Sequence, residues 1–515
     1  MSDLELVLLL LTIVIVITAA SRKLGLSIPI AMVVAGLVLS FAPFVPRVAL
    51  PPDLVFLGFL PPLVFSGGYL TSLRDFKANL RPIMLLAFGL VIFTAAVVAL
   101  VAHTLVPDLG WPAAFALGGI VSPPDEIAAM AIFQRLGVPR RIVTILEGES
   151  LVNDATALVI YRFAVAAAAV GAFSLFDASM SFVLVLAGGV AVGTVVGYAI
   201  DFIADRVTDT PLAVAITLIA PYAAYLPAES LGVSGVLATV VAGLWARHAM
   251  RHLSSDARIV GTAVWQIWLF LLNGLVFLLL GLQLRTVVGA VDLSTTTIGV
   301  AAAIVLAVVL SRFVWVFPAT YLPRLIPAIG RADPNPPWRA VVVVAWSGLR
   351  GVVSLAAALA LPVTFPYRDL ILLFTFTVIL ATLVGQGLTL PIVVRSLGLA
   401  PEEDTAHAES HARALTGEAA LRRIDELAIE WPGHTELVGT LRSQYEHRTS
   451  HAEIHHSDEP GAAEKELLEH SQIRRAVIDA ERRAAFDLHE RAIIDDEMLR
   501  RLERDLDLEE LRMEA

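Results

Sequence analysis

The segment Pro82–Leu105 has the sequence PIMLLAFGLVIFTAAVVALVAHTL, 24 residues without an Asp, Glu, Lys or Arg. A helix needs about 20 predominantly apolar residues to cross the hydrocarbon core of a bilayer. Similar windows occur at Leu4–Ala20 and Thr297–Tyr321. Hydrophobic residues make up 57% of the 515-residue chain, compared with about 45–50% in soluble domains. Because this excess needs a second apolar phase to bury it, the sequence predicts a membrane protein with several spans.

Such windows recur through residues 1–400 and predict an all-α polytopic membrane protein with about thirteen transmembrane helices. The eighth and ninth windows are short, so one long or broken helix is an alternative for this pair. The thirteen windows are 4–20, 27–44, 54–71, 82–105, 112–133, 142–169, 180–203, 211–226, 232–245, 262–283, 297–321, 340–361 and 370–394.

Basic residues are distributed unevenly between the loops on the two sides of these spans. With the N-terminus outside, sixteen Lys and Arg fall in the inside loops, and three, Arg47, Arg285 and Arg368, fall in the outside loops. Cytoplasmic loops carry the excess of Lys and Arg in membrane proteins. We therefore expect a multi-pass protein of the cell membrane with its N-terminus outside and its C-terminal segment in the cytoplasm.

The charge changes sign after residue 400. Residues 1–400 carry 22 Lys and Arg against 19 Asp and Glu, and residues 401–515 carry 15 against 29, giving net charges of +3 and −14. This predicts a transmembrane domain over 1–400 and an acidic, helical cytoplasmic tail over 401–515, either merely solvated or regulatory. Within the tail we expect a His-rich loop at 447–460 and one or two helices from Ile473 to Arg512. An acidic tail argues against a nucleic-acid partner.

Charged residues within apolar spans are costly and usually mark a functional pathway. The sixth window contains the sequence EGESLVND at 147–154. At about 100° per residue, Glu147, Ser150 and Asp154 share one helix face, which offers a carboxylate and a hydroxyl one turn apart to a hard cation. A proton and a metal cation can compete for such a carboxylate, and this competition is a minimal chemistry for antiport.

Two windows are expected to be broken helices. Ser122-Pro123-Pro124-Asp125-Glu126 lies midway along the fifth window, where two prolines remove helical hydrogen bonds. Ser347-Gly348-Leu349-Arg350-Gly351 interrupts the twelfth. Broken helices at mid-membrane form ion sites in many transporters, and the spacing of seven spans suits two inverted repeats. The alternatives are a simple proline kink at the fifth window and acids that only pair with Arg312 or Arg350 to hold helices together.

The order of several motifs resembles the monovalent cation/proton antiporter family, which includes bacterial NhaP proteins and animal NHE exchangers. The resemblance covers roughly residues 1–400. The matching motifs are LPPLVF at 60–65, Asp125, Gly148-Glu149-Ser150, Asn153-Asp154, SGVLA at 234–238, Arg312, GLRG at 348–351 and QGLT at 386–389.

The resemblance implies a role for each matching residue. Asp154 is the expected ion- and proton-binding carboxylate, and Asn153 is its neighbour in an Asn-Asp pair. Ser150 and Asp125 are expected to contribute oxygen ligands to the transported Na⁺. Family members are homodimers with a dimerisation domain and a mobile core domain, so a homodimer in membrane lipid is expected here, without a bound cofactor.

A buried ion pair between Glu149 and Arg312 is also implied by the resemblance. The sequence departs from the family at two places. Where the family commonly has Thr-Asp-Pro in the broken helix, this chain has Pro124-Asp125-Glu126. The change removes the threonine hydroxyl and adds the carboxylate of Glu126 to the charged residues at the breaks, Asp125 and Arg350. An acid often present in the third span is Ser66 in this chain.

The expected function is exchange of Na⁺, or of Li⁺ or K⁺, for H⁺. Because Asn153 replaces a second acid beside Asp154, the pair has one ionisable group, which predicts an electroneutral antiporter. A K⁺/H⁺ antiporter is the nearest alternative, and a cation channel is an alternative of another class, although the sequence has no filter repeat. No Ser/His, His/metal or phosphate-binding motif accompanies the acids, so an enzyme is not expected.

Overall fold

The structure is a computed structural model that describes residues 3–24, 26–42, 51, 54–170, 175–289, 291, 294–399, 404–454, 460–491 and 493–514. The side chain of Glu126 lies outside this description. The described residues form helices and connecting turns, and none of them belongs to a strand. The chain divides into two compact units, Met1–Pro401 and Glu402–Ala515.

The described part of the first unit is built from α-helices, and many of its closest packings join helices that are not consecutive in the chain. Three π-helical segments, at Leu54–Phe59, Leu85–Leu90 and Ala381–Gln386, lengthen some of these helices. The α-helices are α1 (Asp3–Leu24), α2 (Ile28–Leu39), α3 (Leu60–Leu70), α4 (Leu73–Ala78), α5 (Leu80–Met84), α6 (Val91–Leu105), α7 (Gly110–Val121), α8 (Glu126–Leu136), α9 (Arg140–Val170), α10 (Leu175–Ala204), α11 (Thr210–Ser230), α12 (Gly235–Ala249), α13 (Ser255–Leu282), α14 (Leu284–Val288), α15 (Thr295–Tyr321), α16 (Pro327–Ala332), α17 (Trp338–Trp346), α18 (Val352–Leu359), α19 (Arg368–Leu380) and α20 (Gly387–Ser396).

Each of the thirteen apolar windows falls on one of these helices or on a consecutive run of them. Shorter apolar helices occur at Ile28–Leu39, Leu54–Leu70 and Ile127–Leu136. The count of thirteen spans stays a prediction. Among the described residues, eight helices are long and apolar enough to cross a membrane: Glu5–Leu24, Leu80–Leu105, Arg140–Ala169, Ser179–Ala204, Thr210–Ser230, Ser255–Val288, Thr295–Leu325 and Arg368–Ser396.

The eighth and ninth windows are two separate helices, α11 and α12. The turn between them contains Gly232, whose φ of 73° lies in the left-handed region, where glycine avoids the steric cost of a Cβ. The N–H of Leu237 bonds to the Ser234 hydroxyl at 3.1 Å and so caps the start of α12. A glycine turn followed by a serine cap therefore divides this apolar stretch.

The fifth and twelfth windows are both interrupted, as the sequence predicts. Helix α7 ends at Val121 and α8 begins at Glu126, while α17 ends at Trp346 and α18 begins at Val352. The two breaks meet, because the Asp125 N–H bonds to the Leu349 carbonyl at 2.7 Å. Four helix ends therefore converge at one crossing inside the first unit.

The second unit contains α21 (Asp404–Glu430), α22 (Thr435–Ile454), α23 (Pro460–Glu490) and α24 (Asp496–Glu514). The predicted loop at 447–460 is wrong over 447–454, which continue α22, and residues 455–459 lie outside the described residues. Polar histidines do not by themselves end a helix, whereas Pro460 suits the first position of the next one. Arg482 joins α23 to α24 through Asp507 at 2.7 Å and Glu510 at 2.9 Å.

Candidate functional site

Asp125 caps two half-helices at the crossing. Its Oδ1 accepts the N–H of Ile127 at 3.0 Å, in the first turn of α8, and its Oδ2 accepts the N–H of Val352 at 3.3 Å, where α18 begins. The first N–H groups of a helix have no partner within the helix and carry a partial positive charge. One carboxylate thus compensates the N-terminal ends created by both breaks.

Arg350 donates hydrogen bonds at the C-terminal ends of the two helices that precede the breaks. Its Nε donates to the Val121 carbonyl at 3.0 Å and its Nη2 to the Ser122 carbonyl at 3.4 Å, where α7 ends. Its Nη1 donates to the carbonyl of Gly348, just after α17. Because the last carbonyls of a helix carry a partial negative charge, this fully buried guanidinium is compensated by backbone.

Asn153 and Asp154 lie side by side on α9, next to the crossing. The Asn153 Nδ2 donates to the Pro124 carbonyl at 3.0 Å, so the amide holds the first break against α9. Asp154 is 8% exposed, and among the described residues its carboxylate has no hydrogen bond or ion pair. Asp154 is therefore a buried acid that the surrounding protein leaves uncompensated.

Asp154 and Asp125 face a common cavity of about 70 Å³, which Ser150 and Ser354 also line. Since about 10–15 Å³ suffices for one water, this cavity has room for a monovalent cation and a few waters. The structure thus brings together Asp154, Asp125 and Ser150, three of the four predicted ion ligands. Asn153 is adjacent but bonds to the backbone of the break and does not line the cavity.

Glu149 and Arg312 form the ion pair implied by the resemblance. The contact is bidentate, with Nη1–Oε1 at 2.6 Å and Nη2–Oε2 at 2.8 Å, and each side chain is 1% exposed. The Arg312 Nε also donates to the Val344 carbonyl at 3.0 Å. The pair therefore joins α9 and α15 to α17, just before the second break, and it lies outside the cavity lining.

The sequence reasoning missed two hydroxyl residues at this site. Ser354 lines the cavity from the first turn of α18, and its buried Oγ has no hydrogen-bond partner among the described residues. The Oγ1 of Thr382 accepts the N–H of Arg350 at 3.0 Å. The position of Ser354, three residues after Gly351 in the resuming half-helix, was the signal that could have identified it.

The two departures from the family pattern have different outcomes. Ser66 is buried and donates its hydroxyl to the Leu63 carbonyl at 2.6 Å, so it closes a local turn of α3. Glu126 begins α8, but its side chain lies outside the described residues. Its predicted role as an extra charge beside the break stays a prediction.

Comparison with known proteins places this geometry in a family. The profile described as sodium/hydrogen exchanger, transmembrane, matches residues 8–396. An uncharacterised Na⁺/H⁺ exchanger of Mycobacterium tuberculosis is 35% identical over 509 residues, covering 94% of this chain and 91% of its own. A sodium, potassium, lithium and rubidium/H⁺ antiporter of Bacillus pumilus is 36% identical over 388 residues, covering 71% of this chain and 57% of its own.

The comparison with solved structures concerns the fold. The sodium proton antiporter MjNhaP1 of Methanocaldococcus jannaschii superposes with a TM-score of 0.61 at 16% identity, covering 77% of this chain and 98% of that protein. Its identity is low enough that this match speaks for the fold alone. Together with the profile over residues 8–396, these comparisons show that the chain belongs to the transmembrane sodium/hydrogen exchanger family.

Proposed function

We propose that this chain exchanges Na⁺ for H⁺ one for one, with both ions competing for the carboxylate of Asp154. The observation that carries the proposal is that Asp154 faces the cavity without a hydrogen-bond or charge partner among the described residues. An ionised carboxylate is costly to bury. Binding of either a proton or a cation to Asp154 neutralises this charge and is therefore favourable. Moving the site across the membrane empty is correspondingly unfavourable.

Among the described residues, the other charges near the cavity are already compensated. Glu149 is paired with Arg312, Arg350 is held by backbone carbonyls, and Asp125 accepts two helix N-termini. One negative charge therefore remains to be neutralised, which matches one monovalent cation or one proton. Asp125 contributes an oxygen lone pair to the cation, while its negative charge is offset by the partial positive charges of the two helix N-termini.

The proposed cation ligands are all oxygen atoms, as a hard cation prefers. The Asp154 carboxylate is the central ligand, and Ser150, Ser354 and Asp125 supply the others, with water completing the shell. Ser354 is included because its Oγ is buried, faces the cavity and lacks a partner among the described residues. A backbone at the break can adjust to the ion because it carries no helical hydrogen bonds there.

The cation selectivity is the less determined part of the proposal. The relative from Bacillus pumilus is named for sodium, potassium, lithium and rubidium, so K⁺/H⁺ exchange is the second candidate.

We further propose a homodimer in the cell membrane, with the N-terminus outside and the acidic tail in the cytoplasm, serving pH homeostasis. Sixteen basic residues on the predicted inner side support that orientation.

Exchange by purified protein in liposomes tests the proposal. A pH gradient is imposed, and fluorescence dequenching is recorded on adding Na⁺, Li⁺ or K⁺ in turn. We expect saturable, cation-dependent proton efflux from the wild type and loss of it, by at least about 100-fold, for Asp154→Asn, because the amide cannot bind a proton or attract a cation. Unimpaired exchange by a folded Asp154→Asn protein would refute the assignment.

Glu147→Gln is the matched control. Glu147 lies on the same helix two turns before Asp154 and outside the cavity lining, so we expect exchange close to that of the wild type. A cation channel, the alternative of another class, would give Na⁺ conductance without a requirement for a proton gradient. Conductance of that kind from the wild type would replace the antiport proposal.

A further inference from the structure

A second cluster of ligating side chains lies away from the cavity, where α10 and α12 end. Asp201 is in the last turn of α10, His248 is in the last turn of α12, and His252 follows in the turn after α12. One ligand atom from each residue lies within 4.8 Å of the others. The sequence separation between Asp201 and the histidines hid this group from motif reasoning.

The Asp201 side chain as a whole is 22% exposed. Its Oδ1 is buried and accepts no hydrogen bond among the described residues. The Nε2 of His252 is 3.7 Å from that oxygen, which is too long for a hydrogen bond. A buried carboxylate oxygen left unsatisfied is costly, so this arrangement calls for a cation between the carboxylate and the ring.

The other nitrogen of His252 lies near a second carboxylate. Its Nδ1 is 3.5 Å from Oδ1 of Asp205, one turn after Asp201. Metal-ligating histidines usually donate their second N–H to a carboxylate, which fixes the tautomer and orients the ring. In the tautomer that carries its proton on Nδ1, the Nε2 lone pair of His252 is available to a metal ion beside Asp201.

Two neighbouring arginines make their contacts with groups other than Asp201 and the two histidines. Arg247 donates to the Tyr69 carbonyl at 3.4 Å. Arg206 lies over the Phe202 ring, 3.6 Å from its centroid, donates to the Phe202 carbonyl, and places its Nη1 3.6 Å from Oδ2 of Asp205. Neither guanidinium forms a hydrogen bond or an ion pair with Asp201, so the Oδ1 atom of Asp201 stays open to a metal ion.

We propose that Asp201, His248 and His252 bind a divalent transition metal, Zn²⁺ by preference, with water as the fourth ligand. Imidazole and carboxylate suit Zn²⁺, and the chain has no Cys to offer instead. Zinc at about 2.0–2.2 Å from each ligand in a tetrahedral site places the ligand atoms about 3.3–3.6 Å apart. The exposed rings of His248 and His252 can close the remaining distance by rotating.

The bound metal would fasten α10 to α12 at one end of their interface. These helices pack closely along their length: a side chain at Gly193 would meet the Cβ of Val241 at 2.8 Å. Helix α12 also packs against α3, whose Val64 and Gly67 line the ion cavity. The metal therefore stabilises a helix pair next to the transport site without contributing a ligand to the transported ion.

Metal binding by the full chain tests the site. Protein purified in detergent is freed of metal with a chelator and titrated with Co²⁺, whose visible absorption reports tetrahedral coordination, and then with Zn²⁺ in competition. We expect one site per chain with this signature, absent from His252→Ala and Asp201→Asn. His103→Ala is the matched control, because His103 packs against Trp111 on other helices, and it should bind as the wild type does.

The chain has nine histidines after residue 400, and the variants separate them from this site. Equal Co²⁺ absorption in His252→Ala and wild type would assign the metal to the tail and overturn the proposal, as would no binding at all. Asp205→Asn removes no ligand and alters an exposed residue, so we expect a folded protein with about 10–100-fold weaker Zn²⁺ binding. An unchanged Zn²⁺ affinity would show that Asp205 does not orient the His252 ring for metal binding.

Thermal unfolding gives a readout that does not depend on transport. Zn²⁺ should raise the Tm of the wild type and of His103→Ala but not that of His252→Ala. In liposomes free of zinc, Asp205→Asn should exchange Na⁺ for H⁺ at the wild-type rate. Because the two readouts are independent, either the zinc-site proposal or the antiport proposal can be refuted without the other.

Discussion

The ion pair of Glu149 and Arg312 is expected to contribute to stability more than to transport. Both side chains are 1% exposed, so removal of one partner leaves a buried charge without compensation, at a cost of about 3–5 kcal/mol. Glu149→Ala and Arg312→Ala should each lower the Tm strongly. The double variant should recover part of the loss, because no buried charge then remains unpaired.

Thermal unfolding of the two single variants and the double variant in detergent measures this coupling. Strictly additive losses would contradict a direct interaction between the two side chains. Arg162→Ala is a suitable comparison, since Arg162 pairs with Glu229 at 2.6 Å but is 44% exposed. An exposed pair is worth about 0–1 kcal/mol, so its removal should change the Tm little.

Individual site residues could be predicted where a charged residue occurs within an apolar span. Asp125 and Asp154 are conspicuous for that reason, and Ser150 shares the helix face of Asp154. Ser354 could not be identified in the same way, because a serine in an apolar helix commonly bonds to its own backbone. Its importance depends on the second break, which directs the start of α18 towards the cavity.

The two broken helices form one unit, and glycine at position 351 is required for it. A Cβ at Gly351 would overlap the carboxylate of Asp125, which caps both α8 and α18. We expect Gly351→Ala to displace this carboxylate, to reduce exchange by more than about tenfold, and to lower stability by about 0.5–2 kcal/mol through loss of a cap.

Gly299→Ala is the matched control for this substitution. Gly299 lies in α15, and a Cβ there would meet nothing within 4 Å, so alanine should be neutral or slightly stabilising for the helix. Exchange in liposomes and Tm in detergent are compared for the two variants. Normal exchange by Gly351→Ala would show that Asp125 can cap the helices without its close contact to residue 351.

At the level of elements, local chemistry predicted where helices end but not how the ends meet. Pro123 and Pro124 remove backbone donors, which made the first break predictable. The hydrogen bond between Asp125 and Leu349 joins residues far apart in the chain, and no local pattern specifies it. The predicted tail loop is wrong over 447–454 for a local reason: these polar residues include no Pro or Gly that would end the helix.

Asp333 links several helices at one end of the first unit. Its carboxylate accepts Arg141 at 2.5 Å and Arg324 at 2.7 Å, and it also pairs with Arg81. Partial burial would raise the pKa of Asp333, but the hydrogen bond from Arg141 and the charges of the three arginines outweigh that effect and lower the pKa. The carboxylate is therefore more stable ionised in the folded protein than in the unfolded chain.

The sign of the pH dependence follows from this lowered pKa. The contribution of Asp333 is fully present above the pKa of the unfolded chain, about 4, and is lost as the pH falls through the lower value of the folded state. Asp333→Asn should lower the Tm by about 2–4 °C, equally from pH 8 to pH 5. The difference from the wild type should narrow only below about pH 4; a difference that changes between pH 8 and pH 5 would contradict this account.

For the whole molecule, hydropathy predicted a polytopic helical protein, because lipid permits only helices with satisfied backbones or closed barrels. The number of spans is harder to predict, since α2 and the two broken helices are too short to qualify alone. The inverted relation between the two halves stays a proposal, supported by the way the two breaks cross. Packing between distant helices decides such features, and the one-dimensional pattern does not record it.

The charge balance of the described site residues, which do not include the Glu126 side chain, predicts electroneutral exchange. One uncompensated carboxylate, Asp154, binds either one proton or one monovalent cation, so the loaded site is neutral in both directions of transport. The transmembrane potential acts on moving charge, at about 2.3 kcal/mol per elementary charge per 100 mV, and a neutral site is insensitive to it. A second proton taken up by Asp125 would make the cycle electrogenic, but Asp125 is engaged with the two helix N-termini.

Sodium-driven proton movement in liposomes with equal K⁺ on both sides tests this prediction. Valinomycin then clamps the potential at zero without creating a K⁺ gradient. An electroneutral exchanger builds up no potential, so its rate should be the same with and without valinomycin. A clear acceleration by valinomycin would show that net charge moves in each cycle, and Asp125 would then be the first candidate for the second proton-binding group.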